Sequence, residues 1–136
     1  MLKKTLMFLR DNKTFYAATV EDGKPRLRPF GLVIEHDSKL WFSTSNKKAV
    51  YRQLQASPFV EISTTSPSME WLRLSGKAVF ENNVEVKRQA FEVLPALSRI
   101  YQGPDDPAFE VFYLADAEVV FHSMETYGQE PVVHRL

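Results

Sequence analysis

The feature that most constrains this chain is a pair of tight-turn signals set between three β-forming runs, ahead of the second helical pattern. Thr14 to Val20 is rich in β-branched and aromatic residues and runs into Glu21-Asp22-Gly23-Lys24. An Asp-Gly pair accepts the positive φ angles of a two-residue hairpin turn, so the chain reverses there and returns from Pro25 to Glu35. A second turn at His36-Asp37-Ser38-Lys39 leads into Leu40-Trp41-Phe42-Ser43-Thr44. Turns this short join antiparallel neighbours, whereas parallel strands need a long crossover. The pattern predicts a three-strand meander and favours antiparallel β over a βαβ fold.

The remaining segments extend that reading. Leu2, Leu6 and Leu9 recur at helical spacing and predict a short amphipathic helix lidding one end of the fold. Asn46 is placed to cap a helix through Ala56, with Val50 and Leu54 on one face. Phe59 to Thr65 and Glu70 to Phe80 read as strands, the second bent near Gly76. Val86, Ala90, Val93 and Leu97 mark a helical stretch that Pro95 divides, and Phe109 to Phe121 supplies one or two last strands. The tail from Glu125 to Leu136 has no clear period. Six or seven strands with helical inserts in 136 residues predict one mainly β domain over 1–136, a closed or nearly closed barrel whose openings the helices cap.

Composition narrows the chemistry. Seventeen basic residues balance seventeen acidic ones, which argues against a nucleic-acid partner because polyanion binding rests on a broadly basic surface. Cysteine is absent, so disulfides, thiolate metal sites and thiol catalysis are excluded. The basic start at Lys3-Lys4 is followed by a short apolar run that Arg10-Asp11 stops, so neither a secretory signal nor a membrane span is expected, and a cytoplasmic location is. The five glycines form neither GxGxxG nor a P-loop, and His36, His122 and His134 lack metal-ligand spacing.

Two basic segments remain. In Lys24-Pro25-Arg26-Leu27-Arg28-Pro29-Phe30, alternation puts Arg26 and Arg28 on the same face as Phe30 and Leu32, where something must compensate the charge unless both arginines point out near a strand end. Pro25 and Pro29 cannot donate to a ladder, so the strand is an edge. In Ser43-Thr44-Ser45-Asn46-Lys47-Lys48, the two lysines occupy the expected first helical turn, where a cation opposes the helix dipole by roughly 0.3–1 kcal/mol. Either they are solvated on a surface helix, or an anion reverses the sign: hydroxyls, free helix N–H groups, two ammoniums and Arg28 together suit a phosphate. In Glu70-Trp71-Leu72-Arg73-Leu74-Ser75-Gly76, Leu72 and Leu74 form a core face. Trp71 and Arg73 on the other face suit an interface or a flat aromatic ligand, or else Trp71 packs under a helix.

These pieces, from Ala18 to Pro29, Leu40 to Lys48 with Gln53-Leu54, Pro58 to Ile62 and Trp71 to Gly76, resemble in order and spacing the pyridoxamine 5′-phosphate oxidase-like FMN-binding split-barrel proteins. The resemblance covers most of residues 14 to 121. It implies a six-stranded antiparallel split barrel that forms a homodimer, with FMN held between subunits. It also implies that Arg28 and Lys48 neutralise the phosphate while Lys47, Asn46, Thr44 and Ser43 line the phosphate and ribityl chain. Pro29 and Phe30 then edge the ring, and Gln53, with Trp71 and Arg73 from the partner subunit, completes the site. Family members that oxidise pyridoxamine phosphate are longer and carry a basic C-terminal segment with no evident equivalent here, so that substrate is not expected. Relatives of the fold also hold haem or a deazaflavin, and no obvious axial ligand favours haem. The implied activity is a flavin-dependent transfer of reducing equivalents from a nicotinamide donor to a small acceptor. The alternative is a non-catalytic flavin binder acting as an electron store or redox sensor.

Overall fold

The Asp22-Gly23 turn forms with φ of 53° and 72°, and it joins β1 (Phe15–Glu21) to β2 (Lys24–Phe30) in register from Phe15 opposite Phe30 to Glu21 opposite Lys24. Phe15, Ala17 and Thr19 face inward along β1, while Tyr16, Ala18 and Val20 face outward. A computed structural model describes all residues 1–136.

The three-strand meander expected from the turns does not form. The expected return strand from Pro25 to Glu35 is split: its first part ends at Phe30, Gly31-Leu32-Val33 leave the sheet, and its last residues fall in β3 (Ile34–His36), which pairs with β4 (Lys39–Ser45) across the expected second turn while β2 pairs with β1 alone. Pro25 and Pro29 keep β2 an edge strand, and the buried side chains of the link are drawn into two different cores. Val33 enters the barrel interior, while Leu32 joins an outer cluster with Ile34 and Trp41. The expected shared face of Phe30 and Leu32 is broken at this link.

The remaining strands are β5 (Phe59–Thr65), β6 (Trp71–Phe80), β7 (Phe109–His122) and the two-residue β8 (His134–Arg135). The sheet runs β2-β1-β5-β6-β7-β4-β3, with β8 beside β7 and every pairing antiparallel. β2 and β3 lie at opposite ends of this path yet are three residues apart in the chain. The sheet must therefore curl until its ends meet, and the Phe15 and Phe42 rings, from non-adjacent strands, lie 5.8 Å apart inside it. Six strands of at least seven residues carry the barrel, with β3 and β8 as short additions: this is the six-stranded antiparallel split barrel.

Ile62, Leu72, Leu74, Phe112 and Val119 fill the interior. α1 (Leu2–Asp11) brings Leu6, Phe8 and Leu9 to this core, and α2 (Ala49–Ala56) brings Val50 and Leu54. α3 (Val84–Val93) and the 3₁₀ turn Pro95–Arg99, separated at Leu94-Pro95 as expected, pack Val86, Ala90 and Leu97 over Trp41, Phe109 and Val111. No helix is long and apolar enough to cross a membrane.

The bend in β6 falls at Gly76, where the β6–β7 register shifts between Ser75 and Lys77. A Cβ there would stand 3.0 Å from the Ala115 carbonyl oxygen and 3.1 Å from Leu114 Cβ, with neither neighbour free to swing away. Gly76→Val is expected to destabilise the fold by about 1–3 kcal/mol in urea titration, in the range of an overpacked interior.

Candidate functional site

Arg28 stands opposite Ala17 in the β1–β2 ladder, and residues directly opposite share a face, so its side chain turns inward beside Ala17 and Thr19. α2 closes this mouth of the barrel and sets Gln53 against it. The Arg28 guanidinium donates from Nη1 to the Ala17 carbonyl oxygen at 2.9 Å and from Nη2 to Gln53 Oε1 at 2.6 Å. Both acceptors are neutral, and Arg28 takes part in none of the molecule's ion pairs. Burial pulls its pKa below the ordinary arginine value. Arg88 moves the other way because Glu85 and Glu92 hold it. A half-buried cation with no counter-ion is a configuration that an anion relieves.

Gln53 is 4% exposed and joins two strands to the helix. Its Oε1 also accepts from Thr19 Oγ1 at 2.5 Å, and its Nε2 donates to Glu21 Oε2 at 3.2 Å. The Glu21 carboxylate is bound by Arg52 Nη2 at 2.6 Å and faces Arg26 Nε at 3.6 Å. The Arg52 hydrogen bond lowers the Glu21 pKa below the usual carboxylate range, against a smaller opposing effect of burial. Negative charge in this cluster is thus engaged on the far side of the Gln53 amide from Arg28.

The loop before α2 differs from its expected form. Asn46 does not cap the helix: its Nδ2 donates to the Pro107 carbonyl oxygen at 2.8 Å and its backbone N–H to that of Ala108 at 3.0 Å. These long-range bonds hold Asn46 in a turn, so the helix starts at Ala49 with Lys48 as its N-cap residue, and both lysines precede the first helical turn. No side chain caps the helix, and no acidic residue stands in its first turn. Lys47 and Lys48 are exposed and form no ion pair; the backbone N–H groups of Gln102 and Ala108 hold the Asp106 carboxyl below its ordinary pKa, and Lys47 adds a smaller pull in the same direction. Lys48 and Gln53 are five positions apart, about 7–8 Å along the helix axis.

Period two separates the hydroxyls expected to act together. Ser43 and Ser45 share a face with Trp41, while Thr44 shares the interior face with Leu40 and Phe42. Thr44 Oγ1 is sealed from solvent and has no hydrogen-bond partner. An unpaired buried hydroxyl costs about 1–3 kcal/mol, so Thr44→Val is expected to raise the stability of the protein by about 1 kcal/mol in urea titration.

Phe30 packs its ring 6.4 Å from Phe15 and from Phe112, leaving Pro29 exposed at the edge. Trp71 stacks on His122 with ring centroids 4.0 Å apart, and the Arg73 guanidinium lies 5.5 Å from the Trp71 ring while pairing with Glu61 at 3.4 Å. Trp71 and Arg73 lie on the outer face of β6, and Arg28 on the inner face of β2, so one chain does not bring them together. Arg73 lines a concavity of about 600 Å³ over the outer faces of β1, β5 and β6 with Tyr16 and Leu27. None of the five principal concavities is lined by Arg28, Lys47 or Lys48.

Thr19, Glu21 and Arg52 complete the cluster and were missed from the sequence. Thr19 carried a usable signal, since alternation places its hydroxyl on the inward face with Phe15 and Ala17, where a polar group needs a partner. The roles of Glu21 and Arg52 depend on contact between the first hairpin and α2, which no local pattern encodes.

The model of the family described as pyridoxamine 5′-phosphate oxidase matches residues 1–123. A solved structure of a NimC/NimA family protein from Clostridium acetobutylicum superposes with a TM-score of 0.88 at 36% identity, covering 99% of this chain and 92% of that one. General Stress Protein 26 from Bacillus anthracis superposes at 0.77 with 18% identity, covering 99% and 98%. A pyridoxamine 5′-phosphate oxidase-related, FMN binding protein from Nostoc punctiforme superposes at 0.68 with 18% identity, covering 98% and 90%; these last two likenesses show the fold. No curated protein matches the chain in sequence.

Proposed function

The chain belongs to the pyridoxamine 5′-phosphate oxidase family, and from that premise we propose that it binds FMN and passes reducing equivalents from a nicotinamide donor to a small acceptor. The observation that carries the reading is Arg28: a partly desolvated guanidinium held by neutral oxygens at the barrel mouth that α2 closes. The uncapped, acid-free start of α2 and the unpaired Lys47 and Lys48 add to the same positive end, where helix N–H groups favour an anion.

In this reading Arg28 and Lys48 hold the phosphate, Lys47 and the turn at Asn46 line it, and Pro29 and Phe30 form the edge beside the ring. FMN, when bound, supplies the hydride chemistry, and the chain supplies position and charge. Since the cluster around Arg28 holds no histidine, the proton for a reduced acceptor comes from solvent. Arg28 lies at a rim rather than in an enclosed cavity, so a cleft needs a second wall. A second copy of the chain provides it, and the exposed apolar groups on the outer sheet face, Tyr16, Val20, Leu27 and Phe59, support that pairing. Trp71 and Arg73, on the same outer face, are then the partner's contribution.

The purified protein is expected to be yellow, to release FMN on denaturation and to bind FMN more tightly than riboflavin. Charge-assisted hydrogen bonds are worth about 1.5–3 kcal/mol, so Arg28→Ala and Lys48→Ala are each expected to weaken FMN binding by about tenfold or more in calorimetric titration. Colourless protein that takes up no added FMN overturns the reading. Bound FMN with no turnover of nicotinamide donors against nitro, quinone and dye acceptors favours the electron store or sensor instead. Light scattering is expected to give twice the 15.7 kDa chain mass, and a monomer that binds FMN fully argues against the shared cleft.

A further inference from the structure

Gln53 is the buried polar residue of α2, and its acceptor oxygen is already filled by two donors, Thr19 Oγ1 and Arg28 Nη2. We propose that Gln53 is not a cofactor contact but a positioning residue, which fixes the Arg28 guanidinium while leaving its positive charge uncompensated for the FMN phosphate. The proposal rests on the flavin reading above and concerns how that site keeps its charge.

A half-buried guanidinium needs acceptors, and a carboxylate is the acceptor that best matches its planar fork. A carboxylate would also neutralise it and cancel its attraction for a dianionic ester. Here the acceptors at Nη1 and Nη2 are an amide oxygen and backbone carbonyls, with Ala17 at 2.9 Å and Arg26 more distant at 3.4 Å. Glu21 stands one side chain further on, bonded to the opposite end of the same amide and engaged by Arg52 and Arg26. The Gln53 amide therefore spans a cation and an anion, presenting oxygen to one and N–H to the other. Thr19, buried at the foot of this bridge, donates to the same oxygen and fixes the orientation of the amide.

This arrangement allows a test in which the hydrogen bonds persist while the charge moves. In the double variant E21Q/Q53E, the side chain at 21 becomes the N–H donor and the side chain at 53 the acceptor. The net charge of the cluster is unchanged, but the carboxylate now sits on Arg28. FMN and riboflavin are titrated into flavin-stripped wild-type, E21Q/Q53E and Arg28→Ala proteins. The expected result is that E21Q/Q53E loses at least about tenfold in FMN affinity and stays within about twofold for riboflavin, so the preference for the phosphorylated flavin collapses. A purely structural role for Gln53 leaves that preference at its wild-type value.

If E21Q/Q53E keeps the wild-type preference while Arg28→Ala loses it, the positioning proposal is overturned and the flavin reading stands. If Arg28→Ala also keeps it, or the wild-type protein binds neither flavin, the reading fails and the proposal with it. Circular dichroism and thermal melting report whether the double variant folds. Should it not, Gln53→Met, which removes the acceptor and adds no charge, carries the test: a severalfold loss of FMN affinity at constant riboflavin affinity supports the proposal, and unchanged FMN affinity overturns it.

Discussion

The structure depends on a covalent constraint, the three-residue link Gly31-Leu32-Val33 that joins the two ends of the sheet path. Because β2 and β3 cannot be farther apart than this link allows, the strands between them must curl into a barrel. The link is itself held by burial, with Leu32 and Val33 taken into the outer and inner cores. Closure brings the Phe15 ring to 5.8 Å from Phe42, which is itself stacked on Phe112 of the adjacent strand, and leaves the mouths of the barrel for the helices to cover. Arg28 lies three residues before that link, so the constraint that closes the barrel also delivers a cation to its rim.

Charge is then distributed unevenly over the surface. Arg26, Arg52, Arg73, Arg88 and Arg135 each face a carboxylate, and their pairs are mostly exposed and worth little individually. Arg28, the half-buried arginine of β2, meets neutral oxygens alone. A fold selected for stability alone gains nothing by desolvating a guanidinium without a partner, whereas a site for a phosphate ester gains a fixed and undiminished positive charge.

Much of this was legible in the chain. Asp22-Gly23 encoded the first hairpin, Pro25 and Pro29 marked β2 as an edge, Pro95 divided the last helical stretch and Gly76 marked the bend in β6. Alternation also turned Arg26 and Arg28 toward the face of Phe30, as the ladder shows. Asn46 lies outside the helix because its Nδ2 and backbone N–H donate to the Pro107 and Ala108 carbonyl oxygens, Pro107 being 61 residues away, and the meander fails because the return strand breaks at Gly31-Leu32-Val33, leaving β2 paired with β1 and β3 with β4. Ser43 and Thr44, adjacent in sequence and chemically alike, face opposite sides because strand geometry separates neighbours.

The sequence by itself determined the turns, the strand alternation, the edge character of β2 and the family, because each of these is written in residues a few positions apart or in an ordered set of short motifs. Only the tertiary structure decided which end of the sheet each hairpin joins, where α2 begins, and that Gln53 reaches Arg28 across 25 residues and Thr19 across 34. The physical reason is range. Backbone sterics and periodicity act over single turns and strands, whereas the acceptor that orients the Arg28 charge exists only after barrel closure and helix docking bring distant segments within hydrogen-bond distance.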